Sequence, residues 1–179
     1  MNVKCSAIVL PLFLVATIFH FGYGLITKVQ CSTSGKGTCM EPYCSFSKSE
    51  KNSSVVVASY GCKDIRKPLM KINVHLKVYM KTSSQYYQIG YFPKFDYCQY
   101  ITTFDKENFL YTGVKLLKKK MPEVVHECPY QDNDLQVNNL TLTDSDFKHI
   151  PAGKYKVVCT FSDDVDNKIL KMTTHYHIT

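Results

Sequence analysis

Apolar and polar residues alternate most strictly from Lys71 to Lys81, KINVHLKVYMK. Ile72, Val74, Leu76, Val78 and Met80 fall on one side, and Lys71, Asn73, His75, Lys77, Tyr79 and Lys81 on the other. Successive side chains of a strand point to opposite faces, so this run predicts a strand with one buried face and one wet face. The β-branched run Val55-Val56-Val57 marks a second strand. Gly153 opens a third, in which Tyr155, Val157, Cys159 and Phe161 share a face. Asp163-Asp164-Val165-Asp166-Asn167 then supplies turn chemistry, and a return strand puts Leu170, Met172, Thr174, Tyr176 and Ile178 together. The two runs predict a terminal hairpin.

One stretch follows a different period. Between Phe104 and Met121, Leu110, Val114, Leu117 and Met121 recur at spacings of four, three and four, a helical stripe. Asp105 suits the N-cap, the run Lys118-Lys119-Lys120 suits the negative end of the helix dipole, and Pro122 stops the helix. Gly113 weakens it by about 1 kcal/mol relative to Ala. The segment from Leu25 to about Asp64 is rich in Cys and Ser and predicts loops and short strands pinned by disulfides. The elements add up to a mainly β fold, a two-sheet, immunoglobulin-like β-sandwich with one short helix inserted between Cys98 and Cys128.

Composition sets the compartment. The first 24 residues carry Lys4, then an apolar run from Ala7 to Phe19, then Gly22 and Gly24. They read as a signal peptide, because the run is shorter than the roughly 20 residues a membrane span needs. Residues 25–179 then form one secreted, extracellular domain with no stable membrane span. Seven cysteines follow Gly24, an odd number, so a disulfide framework leaves one thiol over or joins it to another chain. The sequons at Asn52 and Asn139 fit the same export route as glycosylation sites. Net charge is +7, or about +6 without Lys4, but the lysines are scattered, so solvated outer faces are expected rather than a nucleic-acid surface.

Candidate chemistry is sparse. Cys98 with His126 as base would make a thiol enzyme, but an exported chain favours Cys98 in a disulfide. No G-x-S-x-G elbow is present. Ser34-Gly35-Lys36-Gly37-Thr38 lacks the full spacing of a phosphate loop. His175 and His177 share a strand face, but beside Lys171 they read as solvated rather than metal-bound. Asp163, Asp164 and Asp166 form a turn without the twelve-residue calcium loop. No cofactor or metal is expected. The stretch from Tyr86 to Tyr100, YYQIGYFPKFDYCQY, holds seven Tyr or Phe residues around Cys98, which suits a hydrophobic wall around a ligand, an ordinary β-core or the pocket of a reactive cysteine.

In order along the chain, GYFPKFDYCQYI, a helix, and HECPYQDNDLQVNNLTLTDSDFKHIPAGKYKVVCTF resemble a family of small secreted insect proteins of largely uncharacterised function. That family is similar to the ganglioside-activator branch of the ML-type lipid-recognition sandwiches and to related insect chemosensory proteins. The matching elements are Gly90-Tyr91, Cys98, Cys128-Pro129-Tyr130, and Gly153 with Tyr155. The resemblance runs from about Lys71 onward; before it only Val29-Gln30-Cys31 and Cys44 match. It implies an apolar cavity between two sheets, with the aromatics around Cys98 as sheet and cavity wall, a Cys98–Cys128 bond and a Cys31–Cys44 bond. It leaves the pairing of Cys39, Cys62 and Cys159 open, and carries over no catalytic residue.

The expected function is therefore that of a secreted, non-enzymatic binding protein. It would enclose a lipid or other hydrophobic small molecule, such as a semiochemical, between its sheets. Ile72, Val74, Leu76, Val78, Tyr155, Val157, Phe161, Leu170 and Met172 are the candidates for the lining. The rival is a solid-cored extracellular interaction module with a receptor as partner. Periodicity does not separate the two, because hollow and packed sandwiches need the same inward faces.

Overall fold

The computed structural model describes residues 24–33, 38–48, 56–103, 106–107, 111–132, 134–146 and 150–179. The expected signal peptide up to Tyr23, the sequon at Asn52 and the expected N-cap Asp105 lie outside them.

Strict alternation builds the larger sheet. Its strands are β1 (Gly24–Ser32), β4 (Asn73–Thr82), β5 (Gln85–Asp96), β7 (Gly153–Ser162) and β8 (Lys168–Ile178), all antiparallel, in the order β1-β8-β7-β4-β5. The terminal hairpin lies inside this sheet and β4 is next to it. Register sets Val74 opposite Phe161, Leu76 opposite Cys159 and Val78 opposite Val157, and sets Cys159 opposite Met172. One apolar face thus crosses three strands. The smaller sheet is β2 (Pro42–Lys48), β3 (Val56–Cys62) and β6 (Gln136–Leu142), in the order β2-β3-β6. Ile26 of β1 packs with Val56 and Ala58 of β3, which closes the two sheets into a sandwich along one side.

Three elements differ from the pattern reading. The opening segment is not merely loops and short strands: β1 runs nine residues and forms an edge of the larger sheet. Its partner β8 lies at the other end of the chain, out of reach of any local signal. Two short helices replace the single one. The aromatic stretch is a strand only as far as Asp96, and α1 (Tyr97–Thr103) follows, so Cys98 sits on a helix. Asp96 Oδ1 accepts the backbone N–H of Gln99 at 3.2 Å, the cap that turns strand into helix. Thr102 and Thr103 bond back to the carbonyls of Cys98, Gln99 and Tyr100 near the helix end. The stripe predicted from Phe104 is helical over α2 (Tyr111–Lys120), with Met121 N–H still bonded to Leu117.

Disulfides join Cys31 to Cys44, Cys39 to Cys62 and Cys98 to Cys128. The first ties the two sheets together, β1 to β2. The third fixes α1 to the loop before Tyr130. Among the described residues Cys159 is the free thiol. It points inward on β7, in register between Leu76 and Met172.

The β7–β8 turn is held by Asp163, which is 1% exposed. Its carboxylate accepts the N–H groups of Val165 and Asn167, the Asn167 amide and the Thr38 hydroxyl, at 2.8–3.2 Å. Its carbonyl accepts the Asn73 amide at 2.8 Å. Burial alone would push this carboxyl up, but the hydrogen bonds outweigh it and hold the acid below its ordinary range. One turn residue therefore fastens the β7–β8 turn to the start of β4 and to the Thr38 loop.

Candidate functional site

Where both sheets meet the helices, an apolar pocket of about 100 Å³ opens. Ile72, Phe161 and Leu170 come from the larger sheet and its approach; Tyr60, Gly61 and Val137 from the smaller sheet; Tyr97, Leu117, Val124, Tyr130 and Leu135 from the helices and connecting loops. No lining residue carries a charge.

The pocket's frame is hydrogen-bonded backbone. Tyr130 and Leu69 exchange two backbone bonds, at 2.8 and 3.1 Å. Tyr97 N–H donates to Ile72 and Cys62 N–H to Leu135, each at 2.8 Å. Gly61 is obligatory here: at φ +156° a Cβ would collide with the Leu135 carbonyl. The Tyr130 ring is buried, stands edge-on to Tyr97 at 6.1 Å, and its hydroxyl lies 2.9 Å from the Val124 carbonyl. Burial pushes the Tyr60 and Tyr97 hydroxyls well above the ordinary phenol value, with Tyr130 adding to the shift at Tyr97. These phenols stay neutral, so the pocket offers a dry wall with a few hydroxyl dipoles and no base, nucleophile or anion.

The nine lining candidates separate into three groups. Ile72, Phe161 and Leu170 line the pocket. Val74 is packed in the principal core, and Tyr155 anchors a cluster at the opposite end, its hydroxyl donating to Pro151 at 2.8 Å. Leu76, Val78, Val157 and Met172 face inward, stay half-buried and join none of the core clusters. They lie further along the same inward face: Val78 is four residues beyond Val74, roughly 13 Å at strand rise.

Cys159 lies on the same inward face. It sits between Leu76 and Met172, deep enough that burial pushes its thiol up to about 12, yet it remains half-buried by accessibility. Tyr176 repeats the combination, raised to about 12 by burial and still half-buried.

Sequence reasoning missed Tyr60, Leu117, Val124, Tyr130, Leu135 and Val137 as pocket walls, whereas Tyr97 belongs to the aromatic stretch expected to form one. Leu117 was legible as part of the helical stripe; the other five lie on connecting segments and on the smaller sheet, and converge only in three dimensions. Of the seven aromatics from Tyr86 to Tyr100, Tyr97 lines the pocket. Tyr87 and Tyr91 are exposed on the edge strand, and Tyr100 packs among the helices.

The thiol-enzyme arrangement is absent, since Cys98 is bonded to Cys128. His126 stacks on Tyr130 at 4.2 Å instead. His175 Nδ1 lies 3.2 Å from the Tyr86 hydroxyl on the outer face. Among the described residues no three His, Cys, Asp or Glu side chains gather as a metal site, and no helix is long and apolar enough to cross a membrane.

Residues 74–157 match a family model described as a protein of unknown function, DUF1091. The span starts in β4 and ends within β7, inside the stretch that carries the lipid-recognition resemblance. No curated protein matches the chain. Among solved structures the chain is similar to the crystal structure of a Niemann-Pick type C2 protein from Japanese carpenter ant. Identity is 14% over 86% of this chain and 90% of that one, with a TM-score of 0.29.

Proposed function

We propose that the protein binds a hydrophobic small molecule or lipid, placing its apolar part between the two sheets without covalent chemistry. The observation that carries this reading is the charge-free pocket at one end of an inward apolar face on which Leu76, Val78, Val157 and Met172 stay half-buried. A solid sandwich would bury Leu76, Val78, Val157 and Met172 against the opposite sheet.

Size limits the mode of binding. A 150 Å³ apolar cavity takes benzene, and drug-sized sites occupy roughly 300–1,000 Å³. At about 100 Å³ the pocket receives the end of a chain rather than a whole lipid. About four methylenes there yield roughly 3 kcal/mol at 0.8 kcal/mol each, before ordering costs. Useful affinity therefore needs further methylenes laid along the inward face, and affinity rises with chain length until the face is filled.

The fit to an exported protein is chemical. Three disulfides belong to an oxidising compartment. Asn139 is exposed at a bulge of β6 with φ +56°, so a glycan attached there would project from the smaller sheet, away from the pocket. A semiochemical is the finer form of the ligand, a carrier in an extracellular fluid the finer form of the role.

Native mass spectrometry with straight-chain alcohols and fatty acids of graded length tests the proposal. Retention should grow with length, Leu117→Trp should weaken every ligand by plugging the pocket, and Val157→Thr should weaken only the longer ones. Absence of any bound or added chain would favour the solid interaction module.

A further inference from the structure

Charge is segregated across the larger sheet. Lys28 of β1, Lys77 and Lys81 of β4, Lys154 and Lys156 of β7 and Lys171 of β8 all project from the outer face. Across the five strands the one carboxylate is Asp96, at the end of β5, where it caps α1 and faces Lys71 at 3.9 Å. None of those six lysines has an ion pair among the described residues.

The array is dense. Lys81 stands directly opposite Lys154, a like-charge pair that costs stability in a sheet. Lys28 and Lys156 flank His175 from either side. The lysines act on their surroundings: burial first, and then Lys77, lowers the His75 pKa, while burial and then Lys28 and Lys156 lower that of His175. Charges on paired and diagonal positions of a sheet add their fields wherever they come within the roughly 8 Å screening length of physiological salt. Tyrosine rings hold some of them up: Lys156 Nζ lies 4.2 Å from the Tyr79 ring centre and Lys77 Nζ 6.0 Å from that of Tyr91.

Shape adds to charge. Short side chains at Val158, Thr160 and Thr173 form the floor of a trench of about 400 Å³, walled by Lys77, Lys156 and Lys171 among others. A bilayer would span the walls without reaching the floor. A linear chain can lie along the trench with its anions between the ammonium groups.

We propose that this outer face docks a linear extracellular polyanion, a sulfated polysaccharide. It is separate from the apolar pocket, which opens on the opposite side of the same sheet. The lysines look scattered in the sequence because they alternate with apolar residues on strands far apart in the chain. Sheet register brings them together.

The test uses immobilised heparin and the full mature chain. Wild type should bind with an affinity that falls steeply with salt. K77Q/K156Q/K171Q should bind at least about tenfold more weakly, whereas K118Q/K119Q, at the end of α2, should stay within about twofold. Thermal melts establish that both variants fold. In wild type, heparin should protect Lys77, Lys156 and Lys171 from acetylation and leave Lys118 and Lys119 reactive, a reading that needs no variant. Equal losses in the two variants, unchanged acetylation of the sheet lysines, or binding to phosphatidylserine vesicles but not to heparin would overturn the assignment.

Discussion

The two halves of the larger sheet's inner face are built from the same residue types in the same alternation, yet they pack differently. At one end Leu69, Ile72, Tyr130 and Ile169 are fully buried, with disulfides Cys39–Cys62 and Cys98–Cys128 in the same cluster. One to three inward positions further along the strands, Leu76, Val78, Val157 and Met172 stay half-buried. The difference lies in what stands opposite. At the packed end, loops and α1 are tied down over the sheet by disulfides and by the Leu69–Tyr130 backbone pair. In the middle, among the described residues, no disulfide or core cluster holds a layer over Leu76, Val78, Val157 and Met172. Alternation decides which way a side chain points; only an opposing layer decides whether it is buried.

The largest expected effect compares truncations in the two halves. Leu170→Ala removes side-chain volume from the packed end and should cost about 3 kcal/mol in urea unfolding. Met172→Ala, one step along the same strand face, should cost less than about 1 kcal/mol, because its surroundings are already open. Equal costs would mean that the middle is packed after all.

Next in size is the turn that fastens the packed end. Asp163→Asn leaves the buried donors facing a neutral acceptor and should cost about 2 kcal/mol near neutral pH. The Asp163 carboxyl is held below its ordinary value, so its contribution is complete above the unfolded value of about 4 and disappears as pH falls through the folded value. Melting temperature against pH should therefore drop on the acid side in wild type, and the gap to Asp163→Asn should narrow there. A gap that stays constant down to pH 2 would remove the carboxylate from this role.

The smallest effect probes the open middle. The thiol of Cys159 is raised to about 12 by burial, so at neutral pH a thiol reagent should label it slowly, and far faster once urea unfolds the chain. A long-chain fatty acid lying over Leu76 and Met172 should slow labelling of the native protein several-fold further. Labelling indifferent to ligand would place the chain elsewhere.

Some of this was legible along the chain because the signals are local. The period of two over β4 and the terminal hairpin, and the stripe ending at Met121, each depend on neighbours a few residues apart. Asp96 with Gln99 three residues on was a readable cap for α1, obscured by the aromatic run before it. β6 was harder: the bulge at Asn139 spaces Val137, Leu140 and Leu142 by three and then two, so neither period persists. The pairing of β1 with β8 had no local trace at all.

By itself the sequence determined the inward and outward faces of the strands, the oxidised character of the chain and the β-sandwich class, since side-chain alternation and cysteine count need no distant partner. The tertiary structure alone decided which inward residues are covered, that Cys159 is left a buried thiol, and that lysines from four strands meet on one face. Those outcomes depend on register between segments far apart in the chain, and register is settled by packing rather than by any residue's own preference.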